Sequence, residues 1–146
     1  MIVSDKSYVL IADVDPDFRR VLEEIITLNG PYRVIHASNG MEALGRLRDH
    51  KVSAMFLEID LPHVNGLDVL RSQREDLATP VPVRTVFITA RWGETDVRDM
   101  ALEAGADAVL PKPFEIDAIE AEIARIPADS LDQGGTEAAP GCSSTE

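Results

Sequence analysis

Two patterns of hydrophobic and polar residues alternate along the chain. Short apolar runs rich in β-branched residues predict buried strands, and stretches with apolar side chains three or four positions apart predict amphipathic helices. The predicted strands are Tyr8–Ala12, Tyr32–Ala37, Ala54–Glu58, Val83–Ala90 and Ala106–Leu110. The predicted helices are 16–28, Met41–His50, a short one from Leu67 that fades into the polar Arg71–Asp76, Thr95–Ala104, and Glu115–Ile126. The chain therefore contains five strand–helix units.

This alternation predicts an α/β fold. With right-handed crossovers it gives a doubly wound parallel sheet with helices on both faces. Pro111, close to the fifth strand, favours a sheet edge for that strand, and the two prolines in Leu77–Pro82 predict a loop. Residues 127–146 contain four acids and no bases, so we expect a domain at 1–126 and a disordered acidic tail at 127–146.

Charge and composition narrow the classes of partner. The net charge of −12 argues against nucleic acid and favours basic proteins or a cation. The longest apolar runs have the length of strands, so no membrane span is expected. The single Cys142 builds no disulfide framework and no signal peptide is evident, so we expect a reducing cytoplasm.

Polar residues that could take part in chemistry lie at the carboxyl ends of four of the predicted strands. The carboxyl ends of parallel strands share one edge of the sheet, where open α/β sheets place their sites. Each residue taken alone is typical of a helix cap, a turn or a solvated surface. The ordered set predicts one site, and its members are Asp13, Asp15, Glu58, Asp60, Thr89 and Lys112.

This set resembles the receiver domain of the two-component response-regulator family, over roughly Tyr8–Ile126. The resemblance implies a flavodoxin-like sheet of order 2-1-3-4-5 with five helices. It also implies that a histidine kinase phosphorylates an aspartate after the third strand, assisted by Mg²⁺ on two acids after the first. The resulting shift would reach the surface formed by the fourth helix, the fifth strand and the fifth helix. The matching motifs are Asp13-Val14-Asp15-Pro16, Leu57-Glu58-Ile59-Asp60-Leu61-Pro62, Val64-Asn65-Gly66, Thr89-Ala90 and Lys112-Pro113-Phe114.

Two positions of the phosphorylation chemistry depart from the family pattern. The phosphoacceptor position, four residues before Pro62, holds Glu58, and the second metal-binding acid is replaced by Val14 beside Asp13. Phosphoryl transfer depends on positioning, and a misplacement of about 1 Å can cost about a hundredfold in rate. Because Val14 offers Mg²⁺ no oxygen, no bound cofactor is expected. Any Mg²⁺ would bind weakly, through Asp13, Glu58 and the backbone carbonyl of Asp60.

The remaining positions of the motif match in part. Thr89 and Lys112 stand where the family contacts the phosphoryl oxygens, and Pro113 stands where the family has a cis peptide bond. Val109 replaces the aromatic switch residue, which removes the usual device that couples the site to the output surface.

Two interpretations of Glu58 stay open. It is either a built-in substitute for the phosphorylated state, with Lys112 and Thr89 as partners, or a residue that fills a retired site in a rigid scaffold. One alternative is a phosphorylatable receiver that uses Asp60 or Glu58 with Mg²⁺. A more distant one is a flavin or nucleotide binder, which would need a loop of backbone donors after the first strand, where Pro16 has none.

The expected function is therefore phosphorelay signalling by protein–protein interaction rather than enzymatic turnover. No output domain follows Ile126 in this sequence. The expected partners are a histidine kinase, a phosphotransfer protein, another regulator, or a second copy of the chain. A second copy would bind through the surface formed by the fourth helix, the fifth strand and the fifth helix. Trp92 lies next to that surface and is either an interface anchor or a side chain folded onto the fourth helix.

Overall fold

A computed structural model describes residues 7–76 and 83–127, which form a five-stranded parallel sheet with helices on both faces. The predicted loop Leu77–Pro82 and the tail beyond Pro127 lie outside the described residues. The elements in chain order are β1 (Tyr8–Ala12), α1 (Pro16–Leu28), β2 (Val34–Ala37), α2 (Gly40–Asp49), β3 (Val52–Leu57), α3 (Gly66–Glu75), β4 (Arg84–Thr89), a 3₁₀ turn (Ala90–Gly93), α4 (Thr95–Glu103), β5 (Ala108–Pro111) and α5 (Ile116–Ile123).

The strand order is β2-β1-β3-β4-β5, which confirms the flavodoxin-like sheet. Strand β5 lies at an edge, as Pro111 predicts. Alternate residues of the strands face opposite layers of the core. One face packs against Leu22 and Ile26 of α1 and Ile119 of α5, and the other packs against α2, α3 and α4. Within the described ranges, no helix is long and apolar enough to cross a membrane.

The main difference from the predicted elements is the length of α3. The polar stretch after Leu70 was expected to end the helix, but α3 continues to Glu75. Its polar residues are held by tertiary hydrogen bonds: Arg74 donates to the carbonyls of Val83 and Gly105, and Gln73 is buried. These contacts join distant parts of the chain and have no local signature, so the periodicity of the sequence could not reveal them.

Other element ends shift by a few residues. Strand β2 begins at Val34 rather than Tyr32, and β3 runs from Val52 to Leu57. The 3₁₀ turn after β4 was not predicted; the Thr89 hydroxyl caps it by accepting from the backbone N–H of Arg91.

The loop after β3 folds tightly back onto the end of that strand. The backbone N–H of Gly66 donates to the Ile59 carbonyl at 2.8 Å. A Cβ atom at Gly66 would lie 2.3 Å from the backbone oxygen of Glu58, so only glycine allows this approach. The loop therefore fixes the backbone that carries Glu58.

We expect Gly66→Ala to destabilise the protein by about 1–3 kcal/mol, because the added methyl overpacks this contact. Gly45→Ala is the matched control. It lies inside α2, where a Cβ meets only the Arg48 guanidinium at 3.6 Å, and alanine there should stabilise by about 0.5–1 kcal/mol. Urea unfolding of both variants measures the difference; equal midpoints would contradict the packing argument.

Candidate functional site

Three charged side chains meet at the carboxyl edge of the sheet. The Lys112 ammonium lies 2.6 Å from Asp13 Oδ2 and 3.0 Å from Glu58 Oε1. Asp13 is 2% exposed and Glu58 is 8% exposed. We call Asp13, Glu58 and Lys112 the acid–lysine cluster. One ammonium thus serves two buried carboxylates that come from strands β1 and β3.

The backbone around β1 holds Asp13 in place. Its Oδ1 accepts a hydrogen bond from the backbone N–H of Asp15 at 2.9 Å, and its own carbonyl accepts from the Arg19 guanidinium at 2.7 Å. The remaining carboxylate oxygen, Oδ2, faces Lys112. Both carboxylate oxygens of Asp13 therefore have a donor.

Glu58 follows the last residue of β3, and its side chain folds back over the turn. Its Oε2 accepts from the backbone N–H groups of Ile59 at 2.7 Å and Asp60 at 3.2 Å, while Oε1 faces Lys112. The Glu58 carboxylate therefore accepts from three donors at once. The group is a fixed anion with satisfied oxygens.

Lys112 is stabilised in its charged form. Burial by itself would lower its pKa, but the hydrogen bonds and charges of Asp13 and Glu58 raise the pKa above its ordinary value. The ammonium also lies 4.4 Å from the centre of the Phe18 ring, a favourable cation–π contact. Its backbone N–H donates to the Thr89 carbonyl, and the Lys112–Pro113 bond is cis, as the resemblance implies.

Two of the predicted acids lie at this edge but do not join the cluster. The Asp15 side chain is exposed and accepts from Asp17 N, which caps α1. The Asp60 side chain is 58% exposed, and its Oδ1 accepts from Arg91 at 3.0 Å. Of the four acids predicted for the site, Asp13 and Glu58 therefore contact Lys112, while Asp15 and Asp60 have other partners.

The remaining predicted positions differ in their burial and in their hydrogen-bond partners. Thr89 is buried, and its hydroxyl oxygen accepts from the Arg91 backbone N–H at 3.1 Å. Val109 is half-buried on β5, and its carbonyl accepts from the Trp92 indole. Val14 is 56% exposed at the mouth of the β1–α1 turn. Their roles in a phosphoryl pocket stay predictions.

Arg91 is the residue near the site whose role sequence reasoning missed. Its guanidinium joins Glu94, three residues on, to Asp60 in the loop after β3. The hydrogen bonds to Glu94 and Asp60 raise its pKa. The spacing of Arg91 and Glu94 hinted at the local pair, but the contact with Asp60 depends on how β3 and β4 align.

The residues at this edge do not fit a Mg²⁺ ion well. Mg²⁺ requires several oxygen ligands in octahedral geometry, yet the oxygens of Asp13 and Glu58 already face N–H donors or the Lys112 ammonium. Among the described residues, no group of three or more acidic, histidine or cysteine side chains could hold a metal ion. A metal ion would have to displace the Lys112 ammonium, which already neutralises part of the negative charge of Asp13 and Glu58.

The fold and the cluster define a doubly wound α/β protein whose site lies at the carboxyl edge of the sheet. The family model described as the response regulator receiver domain matches residues 9–124, and the chain belongs to this family. It is 38% identical over 106 residues to the transcriptional regulatory protein CpxR of Escherichia coli K12. This alignment covers 73% of this chain and 43% of CpxR. It is likewise 38% identical over 109 residues to KdpE of Mycobacterium tuberculosis H37Rv, and the alignment covers 75% of this chain and 46% of KdpE. The chain thus spans about half the length of these relatives.

Solved structures of receiver domains share the fold. The receiver domain of NtrX from Brucella abortus aligns with a TM-score of 0.70 and 24% identity, covering 80% of this chain and 95% of that domain. The receiver domain of sensor histidine kinase PA1611 from Pseudomonas aeruginosa aligns with a TM-score of 0.71 and 23% identity, covering 83% of this chain and 97% of that domain.

We expect Lys112→Met to destabilise the fold by about 3 kcal/mol, the low end for a broken buried ion pair, because it leaves two buried carboxylates without their shared, partly exposed cation. Arg20→Met is the matched control, because it removes an exposed cation whose ion pair with Asp17 lies on the surface and contributes little to stability. Chemical unfolding at pH 7 measures both. A loss no larger in Lys112→Met than in the control would contradict the account of the cluster.

The pH dependence of this loss has a defined sign. Since folding raises the pKa of Lys112, its contribution to stability is complete below the ordinary value of 10.5 and is lost as pH rises through the higher folded pKa. The stability difference between wild type and Lys112→Met should stay constant from neutral pH and shrink only above pH 10.5. A difference that shrinks near neutral pH would contradict this assignment.

Proposed function

We propose that this chain is a receiver domain in which Glu58 replaces a phosphorylated aspartate, so that the domain signals without accepting a phosphoryl group. The observation that carries this proposal is the set of donors around the Glu58 carboxylate: the Lys112 ammonium and the backbone N–H groups of Ile59 and Asp60. Such a set of donors suits an anionic group fixed at the end of β3.

The same geometry disfavours phosphoryl transfer to Glu58. Transfer depends on an accurately placed nucleophile and on neutralisation of the charge on the transferred group. Here both oxygens of Glu58 accept hydrogen bonds, and Lys112 already balances one of the two carboxylates of the cluster. An incoming phosphoryl group would add negative charge to the cluster. Lys112 is the one cation of the cluster, and it already contacts both carboxylates.

Asp60 is also a poor acceptor. Its exposed carboxylate pairs with Arg91 rather than with Lys112, so it lacks the buried ammonium that the cluster supplies. Phosphorylation of Asp60 is therefore an outcome that the experiments below can reveal, and it is not the function we propose.

The domain would act through protein contacts. Its net charge of −12 favours partners with basic surfaces, because complementary charge steers association. A histidine kinase, a phosphotransfer protein or another regulator is the class of partner we propose, with α4, β5 and α5 as the responding surface.

Incubation with acetyl phosphate and Mg²⁺, followed by intact-mass measurement, tests the absence of phosphorylation. We expect no added phosphoryl mass on the wild type. The positive control is the double substitution Val14→Asp with Glu58→Asp, which returns both departing positions to aspartate. A phosphorylated wild type, at Glu58 or Asp60, would overturn the proposal.

Glu58→Gln tests the built-in charge, because it keeps the size of the side chain and removes its negative charge. We expect faster amide hydrogen exchange in α4 and β5. We also expect binding to a kinase or regulator captured from the source cell to weaken at least about fivefold, the lower end of the usual coupling between two sites. The exposed Glu24→Gln is the charge-matched control. Unchanged exchange and affinity would mean that Glu58 only fills a retired site.

A further inference from the structure

Trp92, the single tryptophan of the chain, joins three elements of the structure. It lies in the 3₁₀ turn between β4 and α4, and its indole N–H donates to the Val109 carbonyl of β5 at 3.0 Å. The Arg98 guanidinium of α4 stacks 4.4 Å from the ring centre and also donates to the Trp92 carbonyl at 2.7 Å. Trp92 is 40% exposed, so these contacts hold it at the surface.

The turn that carries Trp92 is also tied to the acid–lysine cluster by a continuous path. Glu58 accepts from the backbone N–H of Asp60, the Asp60 carboxylate pairs with Arg91, and Arg91 precedes Trp92 in the turn. The path starts at a charge of the cluster and ends at the indole.

A second path runs along β5. Lys112 lies three residues after Val109, and its backbone N–H donates to the carbonyl of Thr89, the residue that caps the turn. Trp92 therefore closes a ring of contacts: one side reaches the cluster through the loop after β3, and the other through β5.

We propose that Trp92 couples the acid–lysine cluster to helix α4, and that its indole keeps the 3₁₀ turn, β5 and α4 in one arrangement while the cluster is intact. The claim that Glu58 sets this arrangement rests on the function proposed above. The coupling itself requires only that a change in the cluster reaches Trp92, and any member of the cluster can test it.

The contacts have the strength that such a device needs. A neutral hydrogen bond and an exposed cation–π contact are each modest, and together they shift an equilibrium on the order of tenfold. Loss of one cluster charge is enough to offset that factor, because a pairwise contact of the cluster is at least as strong. The turn can therefore respond to the cluster without unfolding the domain.

Two cluster variants and one indole variant form the experiment. Glu58→Gln and Asp13→Asn each remove one carboxylate charge, and the second leaves Glu58 unchanged. Trp92→Phe keeps an aromatic ring for Arg98 and removes the N–H donor to Val109. Each cluster variant is made in the wild type and in the Trp92→Phe background, and amide hydrogen exchange is measured over 95–103 and 108–111.

We expect each cluster variant to speed exchange in these segments roughly three- to tenfold in the wild type, as for the loss of one ordinary hydrogen bond. Trp92→Phe alone should give a similar increase, and a cluster variant should add less than half of its own effect in that background. Trp92 fluorescence should shift to the red in both cluster variants, and the exposed Glu24→Gln should leave emission and exchange unchanged.

The outcomes separate this inference from the proposed function. If the cluster variants act equally in the wild type and in the Trp92→Phe background, Trp92 does not carry the coupling and the inference is wrong. The inference also fails if neither cluster variant changes exchange or emission. If Asp13→Asn acts and Glu58→Gln is silent, the coupling stands and the proposed role of Glu58 fails. Arg98→Ala keeps the tryptophan as a reporter and should also shift its emission to the red.

Discussion

The contact between one ammonium and two buried carboxylates holds the ends of three strands together at the carboxyl edge of this sheet. Lys112 comes from the end of β5, while Asp13 and Glu58 come from the ends of β1 and β3, so the cluster joins an edge strand to the centre of the sheet. Two buried carboxylates repel each other and lose hydration. The lysine offsets both costs, and the backbone donors of the two turns satisfy the other oxygens.

The side chain at position 58 sets the hydrogen bonding at the end of β3. It carries the Glu58 carboxylate back over the turn to the N–H groups of Ile59 and Asp60, and toward Lys112. The tight passage of Gly66 against the Glu58 carbonyl keeps that backbone fixed, so the geometry follows from the loop as much as from the side chain.

Charge at the cluster and contacts at the surface belong to one network. Arg91 bonds the loop after β3 to the turn after β4, and Trp92 bonds that turn to β5. The 3₁₀ turn therefore contacts both the loop after β3 and strand β5. Receiver domains are signalling modules, and these contacts link the acid–lysine cluster to the turn before α4.

The sequence by itself determined the strand–helix alternation, because this follows from local periodicity. The resemblance of its motifs to the receiver family implied the sheet order and placed Glu58, Lys112 and Val14 at the site. Tertiary structure alone decided which side chains meet. Asp15 and Asp60 lie at the same strand ends as Asp13 and Glu58 in the sequence, yet the Asp15 side chain caps a helix and the Asp60 side chain pairs with Arg91. The contact of Trp92 with β5 also joins residues 17 positions apart, and only packing brings such residues together.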